Sequence, residues 1–258
     1  MSECVNYRER QHLGPVESVA EFLDVINKHL NGEPKFLFRG HRREDWALKP
    51  SFARQSTVNM YGERPMLDEF VRRALPYTES TRALSQTDWL AIAQHHGMPT
   101  RLLDWSGSAL AALWFAVEKS ADGEAPGAVW MLNYRIDDIL IDESGKAPFD
   151  LERTVLVRPR HVTQRITAQD GWFTLHRSGS GSEGGRTFVG LDTNQEFRER
   201  LKFVTVPAEA FGRIRLELAT AGFTAAVIYP DLGGIAQYVT WAHLYPQDEI
   251  EYRLGPLR

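Results

Sequence analysis

Cysteine is almost absent: Cys4 is the only one in 258 residues. That excludes an internal disulfide framework and a cysteine-rich zinc module, and it fits a reducing, cytoplasmic setting. An excess of positive charge is lacking too, since 30 basic residues stand against 34 acidic ones for a net charge of −4. No global cationic field draws such a chain to nucleic acid or to an anionic membrane. The longest apolar run, Ala109 to Val117, is nine residues, far short of the roughly 20 that span a bilayer. The first 30 residues carry charges throughout and lack the apolar centre of a signal peptide. Missing as well are the phosphate-loop lysine motif, the Gly-x-Ser-x-Gly elbow, His-Glu-x-x-His and a strand-linked Gly-x-Gly-x-x-Gly. Serine-triad hydrolases, metalloproteases, kinases and Rossmann dehydrogenases therefore lose their sequence support, and no metal is expected.

What is present is ordinary globular material: 43% apolar and 25% charged residues, enough to build one sizeable core. Val16, Val19, Ala20, Leu23, Ile26 and Leu30 recur at helical spacing, with Ser18 and Glu21 in capping-box register. They predict a first helix over about 16–31, stopped by Asn31-Gly32. The run Lys35 to Arg39 reads as a buried strand ending at Gly40, and the loop after it holds the anchors Trp46, Leu48, Pro50 and Phe52. Helices are expected at about 64–78 and 88–96. The run 109–117, apolar on every face, reads as a buried central helix that Ser106 or Ser108 caps. Strands are expected at 127–134, 154–158, 172–176, 201–206 and Ala225–Tyr229, and more weakly over Asp137–Ile141. Ser178 to Gly185, almost pure Gly and Ser, reads as a loop. Helices over about 208–221 and from Asp231 through Trp241 close the chain. The fold class is α+β: one domain over 1–258, with a small mixed or antiparallel sheet, a buried central helix and flanking helices.

Four segments set polar residues among apolar ones. In Phe38-Arg39-Gly40-His41, an arginine at a strand end beside glycine can aim a planar fork at a phosphate or carboxylate; a structural ion pair explains it as well. Gln94 to Ser106 contains His95 and His96, which point about 100° apart on a helix and share no metal by themselves. It also contains Arg101 and Asp104, which flank two leucines and read as a buried ion pair. Arg165 to His176 holds Gln169 and Asp170 ahead of a strand, where a simple turn is the rival explanation. In Tyr229 to Gly234, Asp231 is most simply an N-cap.

These residues also carry a resemblance. Phe38-Arg39-Gly40-His41 with Trp46, Leu48, Pro50-Ser51 and Arg54 resembles the opening of the FRG domain family, named for Phe-Arg-Gly. Ala93 to Ser106, followed by Ala111 to Ala116, is similar to that family's most distinctive block, and the stretches 165–176 and 203–234 resemble its later ones. The resemblance runs over about 36–241. It implies a protein of bacteria or phages, sometimes encoded near defence or toxin genes, with a poorly defined activity. A weaker resemblance links the chain to ADP-ribosyltransferases, which place an arginine on their first core strand, a Ser-Thr-Ser strand before an apolar helix and a glutamate late in the sheet. Arg39 matches the first element, Ser106 and Ser108 stand at an incomplete second, and Gln169 stands where the glutamate is expected.

Two functions follow. In the first, the chain is an NAD-using, ADP-ribosyltransferase-like or NAD-cleaving enzyme. Arg39, Gly40, His41, His96, Arg101 and Ser106 bind the nucleotide, while Gln169, Asp170 and His95 serve the reaction. In the second, the same pocket belongs to a noncatalytic module that senses a nucleotide or binds a protein partner. A nucleic-acid partner is not expected at this charge, nor is a membrane.

Overall fold

Seven strands share one sheet in the order β1-β9-β4-β2-β3-β6-β5. In this computed structural model, residues 7–30, 35–55, 62–77, 84–140, 147–158, 168–180 and 186–255 are described. The strands are β1 (His12–Pro15), β2 (Phe36–His41), β3 (Leu102–Ser106), β4 (Gly127–Asn133), β5 (Val155–Val157), β6 (Gly171–Leu175) and β9 (Leu201–Val206). Every neighbouring pair is antiparallel except β1 with β9, so the sheet is mixed. A separate hairpin joins β7 (Ser178–Ser180) to β8 (Arg186–Phe188).

The alternation of side chains along β2 decides what each face does. Phe38 belongs to the apolar layer formed with helix α5 (Ala109–Val117), α2 (Val19–Leu30) and α6 (Phe211–Thr220). Leu37 points into the opposite layer with Trp105, Trp130, Trp172 and Phe203, which Leu48, Leu191 and Phe197 cover from the loops. A third cluster packs α3 (Glu63–Ala74) and α4 (Gln86–His95) against β5 and β6. Helix α5 lies directly on β2, because a Cβ at Gly40 would stand 1.9 Å from the Ala112 carbonyl oxygen. Glycine on the strand and Ala112 and Ala116 on the helix together permit that approach.

Strands β2 and β3, which carry Arg39, Gly40, His41 and Ser106, barely touch. β2 and β3 are in register only at Phe38 and Ser106, whereas β2 runs beside β4 from Phe36 to His41. The sheet is split along that line.

Several expectations are corrected. Ala225–Tyr229 is not a strand: Ala225–Ile228 is a helical turn, α7, in which the Ile228 and Tyr229 amides donate to the Thr224 and Ala225 carbonyls. Its β-branched and aromatic residues fit a strand by propensity, but tertiary context overrides propensity. Asp137–Ile141 holds a 3₁₀ turn at Ile136–Asp138 and a lone bridge from Ile139 to Leu156, and residue 141 lies outside the described residues. The Gly/Ser stretch contributes Ser178–Ser180 to the hairpin, and 181–185 lie outside the described residues. The first helix begins at Val19 rather than 16, since the buried Val16 instead donates its amide to Thr205 along the sheet edge. Ahead of it stand α1 (Tyr7–Gln11) and β1, which the sequence reading omits. Cys4 and the Asn31-Gly32 stop lie outside the described residues. The last helices are α8 (Leu232–His243), capped by the Asp231 carboxylate on the Gly234 amide, and α9 (Ile250–Leu254).

A candidate ligand cleft at the split in the sheet

Where β2 and β3 part, a cleft of about 540 Å³ opens. Arg39 bridges its floor. The guanidinium donates through Nη1 to the Asp104 carbonyl at 2.7 Å, standing in for the ladder bonds the strands do not make, and through Nε to His41 Nε2 at 2.9 Å. The Asp104 carboxylate lies 3.6 Å from Nη1. Nη2 is left without a hydrogen-bond partner among the described residues. Because His41 accepts from Arg39, its Nε2 carries no proton. Burial first, then the charges of Arg39 and Arg54, hold its pKa well below the usual histidine range. Burial also pushes Arg39 down from the arginine range, with Asp104 opposing and Arg54 reinforcing the shift. The side chain stays a cation throughout. Arg54 also lines the cleft and forms no ion pair with any described residue.

The remaining walls are aromatic and polar. Phe38, Trp46, Trp105, Phe115, Trp172, Phe173 and Tyr229 supply ring surface. Trp46 meets His41 edge-on at 6.0 Å and Arg42 stacks over it at 5.9 Å. Gln94 donates to the Asp104 carboxylate at 2.6 Å and accepts from Thr100 Oγ1, which fixes the helix α4 wall beside His95. Glu118, the residue after α5, stands on the far wall with Tyr229 Oη 3.4 Å from its Oε2. Burial raises the Glu118 carboxyl above the usual range, against the pull of Lys119, Tyr229 and Arg42.

Arg39, Gly40, His41, His95, Ser106 and Gln169 all line this cleft, while Asp170, His96 and Arg101 do not. Ser106 is held on both sides: its Oγ donates to the Gln169 carbonyl at 2.6 Å and accepts from the Ser108 amide at 3.0 Å. Ser108 caps α5 by accepting from the Ala111 amide. Gln169 donates its Nε2 to the Ile228 carbonyl at 3.2 Å. Asp170 takes a left-handed turn, φ 43°, and its carbonyl accepts from Gly107. His96 is exposed and meets the edge of His95 at 5.0 Å.

The expected Arg101–Asp104 pair does not form. Three residues apart and joined by an extended segment, the two side chains leave on opposite faces. Arg101, 1% exposed, pairs instead with Glu63 at 2.7 Å, donates to the Pro148 carbonyl and lies against Phe149. Arg101 is thus a packing residue beneath the cleft. Sequence reasoning missed Arg54, Glu118 and Tyr229 as cleft residues. The usable signal for Glu118 was its place as the first charge after nine apolar residues.

The FRG domain family matches residues 34–125. Residues 34–125 carry an FRG domain. That segment supplies the cleft from Phe38 to Lys119, and Gln169, Trp172 and Tyr229 join it from outside the matched stretch. No curated protein and no solved structure matches the chain, and the likeness to ADP-ribosyltransferases finds no support among the comparisons. Among the described residues, no three His, Cys, Asp or Glu side chains are placed to hold a metal, and no helix is long and apolar enough to cross a membrane.

Proposed function

We propose that the split-sheet cleft of this FRG domain binds a nucleotide of the NAD or ADP-ribose class, and that the chain is an ADP-ribosyltransferase-like or NAD-cleaving enzyme. The observation that carries this reading is the convergence of two guanidiniums inside an aromatic cleft. Arg39 is clamped by His41 and Asp104 with Nη2 to spare, and Arg54 stands close enough for its charge to act on both Arg39 and His41. Bidentate, charge-assisted hydrogen bonds from such groups suit a pyrophosphate, and rings such as Trp46 and Trp172 suit a base or a nicotinamide. A cleft of about 540 Å³ falls within the ordinary range for such ligands, roughly 300–1,000 Å³. Gln169 and His95 would orient the sugar.

The second reading is a noncatalytic nucleotide sensor or protein-interaction module using the same cleft. It is favoured by the serine and glutamine positions, where Ser106, Ser108 and Gln169 are all engaged in holding the backbone. A cytoplasmic place in a bacterial or phage defence or toxin system is part of the proposal and rests on the family resemblance alone. The test is calorimetry with NAD and with ADP-ribose, paired with nicotinamide release. Binding with release supports the enzyme, binding without release supports the sensor, and no binding of either compound rejects both.

A further inference from the structure

Behind the cleft lies a second, smaller cavity of about 90 Å³, bounded by α5, α6, α7 and α8. Trp114, Phe223 and Tyr238 give it ring walls, Thr224 and Gln237 give it polar ones, and Ala219 of α6 lines it as well. Glu118 and Lys119 line both spaces, so Glu118 stands on the partition between them. We infer that Glu118 is the general base of the site, activating a water held in the small cavity against a ligand bound in the cleft.

This rests on the nucleotide reading above and makes its chemistry a hydrolysis. Two acids line the cleft, and their situations differ. Asp104 has a 60% exposed side chain already engaged by Gln94 and Arg39. Glu118 forms no ion pair with any described residue, and its one hydrogen bond is the long contact to Tyr229. It is also partly buried, and burial raises its basicity over the opposing pull of Lys119, Tyr229 and Arg42. The small cavity suits water: at about 30 Å³ per molecule it has room for a few, and a held water needs two to four polar partners. Glu118, Thr224, Gln237 and Tyr238 can supply them.

The atoms balance without any further reactant. The bond between ribose C1′ and the nicotinamide nitrogen breaks, its electron pair staying on the ring nitrogen. A bond forms from the water oxygen to C1′, and the water's proton passes to the Glu118 carboxylate and then to solvent. The products are ADP-ribose and nicotinamide in equal amounts.

The experiment uses the full chain with NAD as the probe. Release of nicotinamide and ADP-ribose is followed for wild type, Glu118→Gln and the cavity-filling Ala219→Leu, with ADP-ribose affinity from calorimetry and melting temperature beside each. A general base contributes about 10²–10⁴-fold. Glu118→Gln should therefore lose at least about 100-fold in turnover while holding ADP-ribose affinity within about threefold. Ala219→Leu should lose turnover with the same affinity. Wild-type turnover in Glu118→Gln overturns the inference and leaves the nucleotide reading standing. Full turnover in Ala219→Leu overturns the water site. Nicotinamide released without matching free ADP-ribose overturns hydrolysis, and a wild type that binds NAD without turnover overturns both the base and the enzyme reading.

Discussion

Arg39, within β2, and Arg101, just ahead of β3, serve opposite ends. Arg39 spans the gap between β2 and β3 with donor capacity left over, while Arg101 is sealed among Glu63, Pro148 and Phe149. Arg39→Lys keeps the charge but loses the fork. It should weaken ADP-ribose binding by about 10- to 100-fold, the range of one charged hydrogen bond of about 1.5–3 kcal/mol, with little change in melting temperature. Unchanged affinity in a calorimetric titration would reject the clamp. Glu63→Ala strands a buried arginine and should cost about 3–5 kcal/mol in urea unfolding. A double-mutant cycle should find strong coupling between Glu63 and Arg101 and almost none between Arg101 and Asp104. The Phe-Arg-Gly segment announces its role in the sequence, but the partner of Arg101 does not, because Glu63 lies 38 residues away and only folding brings it close.

At the scale of elements, the docking of α5 on β2 sets the geometry of the site. Gly40 admits the helix backbone, and that contact holds the end of α5, hence Glu118, beside the strand that carries Arg39. Gly40→Ala forces a methyl group against the Ala112 carbonyl, which is main chain and has no rotamer to yield. Overpacking of this kind costs typically about 1–3 kcal/mol, so thermal unfolding should move down and ADP-ribose affinity should fall with it. A variant as stable as wild type would mean that the helix can lift without penalty. The buried helix itself is plain in the sequence, where nine apolar residues follow a capping serine. The strand-like Ala225–Tyr229 is misleading, since a four-residue helix leaves no periodic pattern to read. Arg54 and Tyr229 become site residues only through the 3₁₀ turn Ser51–Arg54 and the helical turn α7 packing over the split, which no local pattern encodes.

At the scale of the whole molecule, two histidines among the described residues are buried in the neutral form. His176 is held to about 3 by burial first, against a backbone hydrogen bond at Val189 and with the charges of Arg39 and Arg101 adding to the drop. His41 is lowered as well. An unfolded histidine titrates near 6.5, so the unfolded chain takes up protons below that pH while the folded chain does not. Stability is therefore complete above about pH 6.5 and is lost as the pH falls from there toward about 3. His176→Gln should flatten that acid limb in a series of urea unfolding curves, whatever it does at pH 8; an unchanged limb would mean that His176 is protonated in the fold.

We place the nucleotide site in the gap between β2 and β3, built on Arg39. Its most direct test is a calorimetric titration of ADP-ribose into wild type and Arg39→Lys under one buffer and salt condition. Saturable one-to-one binding is expected in wild type, at least about tenfold weaker in the variant. Absence of saturable binding to the folded wild-type chain at millimolar ligand would contradict that placement.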